Sequence, residues 1–172
     1  ALDHGVKFIN DVSALTNDDE SINIIKKSKC FIILMHMQGN PLNMQKNPNY
    51  KFAPRDIYNF LNKQIHNCKK NGITKSRIII DPGIGFGKTS RHNIQILQNL
   101  KMFQKLRCNI LIGLSRKRFI SDLSKKEKPV DRIAGTIAAN QYALDQGADI
   151  IRVHDVKEAF QAKQVWQKLQ KK

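Results

Sequence analysis

The sequence has 172 residues, is 41% apolar, and sets 30 Lys and Arg against 14 Asp and Glu for a formal charge of +16. That is material for one domain-sized core. Its longest apolar run, residues 30–35, is six residues, against the roughly 20 a membrane-spanning helix needs. With no charged-then-apolar leader, a single cytoplasmic domain over 1–172 is expected.

The basic excess is mostly lysine spread along the chain, with short clusters at Lys26, Lys27 and Lys29, at Lys125, Lys126 and Lys128, and at the C-terminus. No aromatics interleave with these clusters, so solvated faces are expected and nucleic acid is not the expected partner. Cys30, Cys68 and Cys108 lie far apart and suggest neither a disulfide framework nor a paired thiolate metal site.

In chain order, short apolar runs alternate with helix-patterned segments, the pattern of parallel strands joined by helices. The opening Ala1-Leu-Asp-His-Gly-Val-Lys-Phe-Ile parallels Ala143-Leu-Asp-Gln-Gly-Ala-Asp-Ile-Ile near the end. Both read as a helix tail, its capping glycine and the next strand, so the chain is expected to begin inside a helix, with an N-terminal portion missing before it. Strands are expected over 6–9, 30–35, 78–80, 110–114 and 150–153. Helices are expected over 18–28, 56–71, 91–106, 131–146 and 157–171. Ile57, Leu61, Ile65 and Cys68 make one apolar stripe, and Gly72 and Gly147 stand where helix-ending glycines belong. The strand runs are mostly continuous, as in strands covered on both faces.

Ligand sites in parallel α/β folds gather at the carboxyl ends of the strands, here Asp11, His36, Asp81, Ser115 and His154. Five strand–helix units are too few to close an eight-stranded barrel, which takes about 250 residues. An open five-stranded sheet of flavodoxin type is the competing architecture.

Asp81-Pro-Gly-Ile-Gly-Phe-Gly-Lys-Thr89 sits between a strand and a helix, the setting of phosphate-binding loops. Pro82 departs from a Walker loop and Lys88 from the dinucleotide fingerprint. Its glycines allow a tight turn close to a flat ligand, and Asp81 can accept paired hydrogen bonds from a guanidine-like heterocycle edge; a structural turn with a capping Asp is the plainer reading. Arg152 and His154, two apart on a strand, share a face and suit an anion, although Arg152 could instead pair with Asp155. Arg116 to Arg118 form a run of three cations that either neutralises an acidic ligand or is a solvated helix start. The five histidines lack zinc-enzyme spacing, and Ser115 lacks the glycine-flanked elbow of acyl-transfer nucleophiles.

Taken in order, Ile-Asn-Asp-Val (9–12), Met-His-Met-Gln-Gly-Asn-Pro (35–41), Asp-Pro-Gly-Ile-Gly-Phe-Gly-Lys (81–88), Gly-Leu-Ser-Arg-Lys (113–117) and Ile-Ile-Arg-Val-His-Asp-Val (150–156) resemble the dihydropteroate synthase family over essentially the whole chain. The resemblance implies an α/β fold of (β/α)8 TIM-barrel type, present here as an incomplete barrel with strands four to eight and their helices, strands one to three being absent. It implies that 4-aminobenzoate displaces pyrophosphate from a 6-hydroxymethyl-7,8-dihydropterin diphosphate.

Carried over by motif, Asn10, Met35, Asp81, Phe86, Gly113 and Lys117 would bind the pterin, Arg152 and His154 the diphosphate, and Lys117 and Arg118 the aminobenzoate. Lys117 and Asp81 would be the catalytic pair. At Arg118 some members carry a serine. Magnesium is expected from the family, its protein ligand lying in the missing part and none in this chain, and a homodimer is expected of the full-length protein. The chain by itself is expected to have little or no synthase activity. The rivals are a pterin-binding methyltransferase domain, a basic nucleic-acid-binding module and a nonfunctional remnant.

Overall fold

Five runs of isoleucine, leucine and phenylalanine form strands, each followed by a helix that covers it. In a computed structural model describing residues 2–170, these are β1 (Phe8–Asp11), α1 (Glu20–Lys27), β2 (Phe31–Met35), α2 (Ala53–Lys70), β3 (Ile78–Asp81) and α3 (Ser90–Gln98). There follow β4 (Asn109–Ile112), α4 (Arg118–Asp122), α5 (Ile133–Asp145), β5 (Ile150–Ile151) and α6 (Val156–Leu169). The expected helix residues Ala1 and Lys171 lie outside the described residues.

All four strand pairings are parallel, and the order across the sheet is the order along the chain, β1-β2-β3-β4-β5. A flavodoxin-type sheet would place its second strand outside its first, so that alternative is excluded. Staves laid side by side in sequence make part of a barrel wall. Among the described residues, the outer edges of β1 and β5 have no partner strand.

Side chains alternate between the two faces of a strand. Ile32, Leu34, Ile78, Ile80, Ile110 and Ile112 point outward and are buried in the main core. That core is closed from the helix side by Ile57 and Leu61 of α2, Ile96 of α3, and Leu100 and Phe103 just beyond it. The inward set, Ile33, Ile79 and Leu111 with Ile150 against them, forms a smaller apolar layer. One step further toward the carboxyl ends the same face carries Met35, in register with Asp81. The fold thus raises the chemical residues on a floor of aliphatic side chains. At the β1 side that floor is open, where Phe8 stacks on Phe31 with ring centroids 5.1 Å apart.

The expected helix over 91–106 breaks at Gln98, and a 3-10 segment, Leu100–Leu106, continues it. Asn99 ends the α-helical ladder, its side-chain amide donating to the Gln95 carbonyl at 2.8 Å, the competition with the backbone that makes asparagine a poor helix-interior residue. Conversely, α2 starts at Ala53, three residues before the expected 56, because Pro54 lies in its first turn, where a missing N–H costs nothing. The short α4 starts at Arg118, at the end of the charge run that could be read as a helix start.

Candidate functional site

Asp81 ends β3 and is only 2% exposed. Its Oδ1 accepts a hydrogen bond from the Gly83 backbone N–H at 2.7 Å. Burial pushes its carboxyl above the usual carboxylate range, opposed by that hydrogen bond and by the charges of Lys117, Lys88 and Arg152. One acid therefore faces three cations from three different elements.

The turn after Asp81 is held from several sides. Gly83 (φ +70°) runs so close to the end of β2 that a Cβ there would lie 1.9 Å from the His36 carbonyl oxygen. The Gly85 N–H donates to Asn93 Oδ1 of α3 at 2.9 Å, and the Gly87 carbonyl accepts from the Tyr50 hydroxyl at 2.8 Å. Gln45 Nε2 donates to the Gly85 carbonyl. Thr89 caps α3 reciprocally with His92. This clamping presents Phe86 and leaves beside it a cavity of about 630 Å3, lined by Gln45, Ile84, Phe86, Lys88, Lys117 and Arg118 among others.

Lys117 reaches inward from the loop after β4, donating to the Ile84 carbonyl, with its Nζ 4.9 Å from the Phe86 ring centroid, a cation–π distance. Burial draws its ammonium down to about 8, against the pull of Asp81. Arg118 turns the other way. Its side chain is 88% exposed and lies 3.6 Å from Asp122, at the rim of the cavity.

Arg152 lies across Gly113, where an added Cβ would come within 3.0 Å of Nη2. His154 turns to Ser115, whose Oγ is 3.0 Å from Nδ1 and also accepts the His154 backbone N–H at 3.2 Å. Asn10 sits on the inner face of β1, exposed and in register with Ile33, one layer below Asp81.

The structure therefore gathers Asp81, Phe86, Lys117, Gly113 and Arg152 at one rim, with Met35 beside Asp81 and His154 next to Ser115. Asn10 and Arg118 stand at the periphery.

Three expectations change. The run Arg116 to Arg118 is not one exposed patch, since its three side chains diverge. Arg116 makes a two-pronged contact with Asp155, with Nε at 3.0 Å, and so takes the carboxylate that could have paired with Arg152. Asp11 is not free for chemistry, because its carboxylate accepts from the N–H and hydroxyl of Ser13 and from the Leu15 N–H. His36 is buried, edge-on to Phe60 at 4.9 Å, and burial and Lys88 hold its pKa down at about 3.

Two roles escaped the sequence reading. Ser115 was read as a strand-end residue and weighed as a nucleophile, yet it orients His154. Lys88, read as a departure from a fingerprint, proves 3% exposed and is one of the cations acting on Asp81. The only signal for it was a lysine inside an otherwise apolar, glycine-rich turn.

Known proteins resemble this chain over nearly its whole length. The dihydropteroate synthase of Haemophilus influenzae is 41% identical over 168 residues, covering 97% of this chain and 60% of its own. That of Escherichia coli is 38% identical over 161 residues, with 94% and 56% covered. The chain thus spans little more than half the length of these relatives.

Among solved structures, dihydropteroate synthase from Xanthomonas albilineans in complex with 7,8-dihydropteroate superposes with a TM-score of 0.90 at 37% identity, over 98% of this chain and 62% of its own. The Stenotrophomonas maltophilia enzyme gives 0.95 at 34% identity, over 99% and 64%. A family model described as pterin binding enzyme matches residues 1–154, from before β1 to His154 at the rim, and the chain belongs to that pterin-binding enzyme family.

Proposed function

We propose that this chain forms a single domain carrying the pterin and diphosphate subsites of a dihydropteroate synthase, its five strands corresponding to the fourth to eighth of a (β/α)8 barrel. The observation that carries the reading is the buried Asp81 carboxyl facing Lys117 and Arg152 beside the Phe86 cavity. An amino-pyrimidine edge offers two parallel N–H donors, which an ionised carboxylate accepts. Asp81 takes that edge, helped by Asn10, while Met35, Phe86 and Gly113 line the slot.

Lys117 donates to the pterin and helps to position 4-aminobenzoate, with Arg118 at the outer rim. Arg152 and His154 hold the diphosphate. The amine lone pair of 4-aminobenzoate forms a bond to the exocyclic methylene carbon as the carbon–oxygen bond breaks, and that electron pair leaves on pyrophosphate; the nitrogen then loses its proton. Fixed cations around the leaving oxygens favour the transition state, where negative charge grows, over the ground state.

Magnesium would be held by protein groups outside this chain; among the described residues no three His, Cys, Asp or Glu converge. No step above runs through magnesium. Phe160, Val165 and Leu169, left exposed on α6, support a homodimer of the whole protein. No described helix is long and apolar enough to cross a membrane, in keeping with a cytoplasmic setting.

The test is a chimera in which this chain replaces the 168-residue matching stretch of the Haemophilus influenzae relative. Dihydropteroate should form from the pterin diphosphate and 4-aminobenzoate, Asp81→Asn should cut kcat/KM about 100-fold or more, and Arg152→Ala should raise KM for the diphosphate. Undiminished turnover by the Asp81→Asn chimera, or a preference for methyltetrahydrofolate over the diphosphate, refutes the assignment.

A further inference from the structure

We propose that Lys88 is a positioning residue for the pterin site: a buried ammonium that ties the Phe86 carbonyl to the end of β2 and supplies Asp81 with a counter-charge that stays in place when Lys117 meets the ligand. The proposal rests on the pterin reading above.

The geometry around Nζ is a count of donors and acceptors. Phe86 O lies at 2.8 Å, His36 Nδ1 at 3.0 Å and His36 O at 3.3 Å. An ammonium has three N–H donors and no lone pair, so it satisfies all three. A neutral amine would supply only two donors and turn its lone pair toward an acceptor. His36, held neutral by its surroundings, offers Nδ1 as an acceptor with its proton on Nε2. The cage is therefore built for a cation.

A cation in so dry a place needs a counter-charge. The charged and titratable groups facing it are Asp81 from β3, Lys117 from the loop after β4, His36 from the end of β2 and His92 from α3, while Arg152 acts on Asp81 from the end of β5. Only Asp81 among these is acidic. Burial draws Lys88 down to about 7 and pushes Asp81 up; Asp81 is the charge that opposes neutralisation of Lys88, while Lys88 follows the Gly83 N–H and Lys117 among the groups that hold Asp81 down. Both lysines border the cavity, but Lys88 Nζ is tied to three acceptors, whereas Lys117 Nζ meets the single Ile84 carbonyl. Without Lys88, and with Arg152 engaged by the diphosphate, swinging Lys117 to a ligand would leave the carboxylate only the Gly83 N–H as the pterin arrived. Lys88 removes that conflict.

Coupling of this kind is reciprocal. The 172-residue chain, labelled with 13C at lysine and aspartate, is titrated by NMR. Lys88→Met should raise the Asp81 titration, and Asp81→Asn should lower that of Lys88, each by about one pH unit or more. Bound to 6-hydroxymethylpterin, Lys88→Met should be about tenfold weaker than wild type at pH 6, with the deficit shrinking as pH rises and Asp81 ionises.

A purely structural lysine would weaken binding equally at every pH. The proposal is overturned if Asp81 titrates unchanged in a folded Lys88→Met chain, or if Lys88 titrates unchanged in Asp81→Asn. The second variant is isosteric and answers the question even where the first fails to fold. Shifts as expected in a chain that does not bind the pterin would sink the synthase reading and support the Lys88–Asp81 coupling.

Discussion

Replacing Gly83 with alanine should be among the most damaging single-methyl changes in this chain. The added Cβ would stand 1.9 Å from the His36 carbonyl oxygen, 3.0 Å from its carbon and 3.3 Å from Met35 Cγ, against the roughly 3.5 Å at which nonbonded heavy atoms pack. The obstacle is backbone at the end of β2, so no rotamer change relieves it. Overpacking of this sort costs about 1–3 kcal/mol, and the left-handed φ of +70° adds about 1–2 kcal/mol for a residue bearing a Cβ.

Together these amount to about 2–5 kcal/mol, or a fall in Tm of about 4–20 °C for a chain of this size. Gly5 is the internal control, with φ +74° and nothing within 4 Å of its Cβ position, so Gly5→Ala should show the conformational cost alone. Calorimetry on the two variants isolates the steric part, and pterin binding should suffer only at Gly83, whose N–H holds Asp81. A Gly83→Ala chain as stable as Gly5→Ala would refute the close approach.

Phe103 is fully buried in the main core, edge-on to Tyr58 of α2, so Phe103→Ala should lose about 3–5 kcal/mol in urea unfolding. Ser115→Ala frees the His154 ring, and in the chimera KM for the diphosphate should rise up to about tenfold, the worth of one hydrogen bond, with kcat little changed. His36 takes a proton near 6.5 when unfolded but only near 3 when native; the unfolded state binds more protons in that window, so stability should fall as pH drops from 6.5 toward 3, and His36→Gln should flatten the slope. Lys117 loses its proton near 8, so affinity for the acidic pterin diphosphate should decline above that pH; a constant affinity to pH 10 would contradict the role given to Lys117.

The strands were legible because residues such as Ile32 to Leu34 and Ile78 to Ile80 are apolar on both faces, which few solvent-facing segments tolerate. Asp81 and Arg152 were legible because a charge at the end of such a run has to meet something. What the sequence hid was the pairing among charges. Whether Asp155 takes Arg152 or Arg116 depends on the left-handed backbone at Arg116 (φ +58°), which aims that guanidinium across to α6, and no spacing rule encodes it. Lys88 was hidden for a related reason: a lysine in a loop is ordinarily solvated, and its burial follows from His36 arriving from a strand 52 positions away.

The unpaired strand edges and the stacked Phe8 and Phe31 bear on how copies of this polypeptide behave together in solution. Exposed edges invite lateral pairing between molecules, while a charge of +16 on each drives them apart over a range set by dissolved ions, about 10 Å at 0.1 M and about 3 Å at 1 M. Dilute buffer should hold the molecules separate and added sodium chloride should bring them together, so light scattering would rise with ionic strength, the reverse of what salt does to assemblies joined by ion pairs.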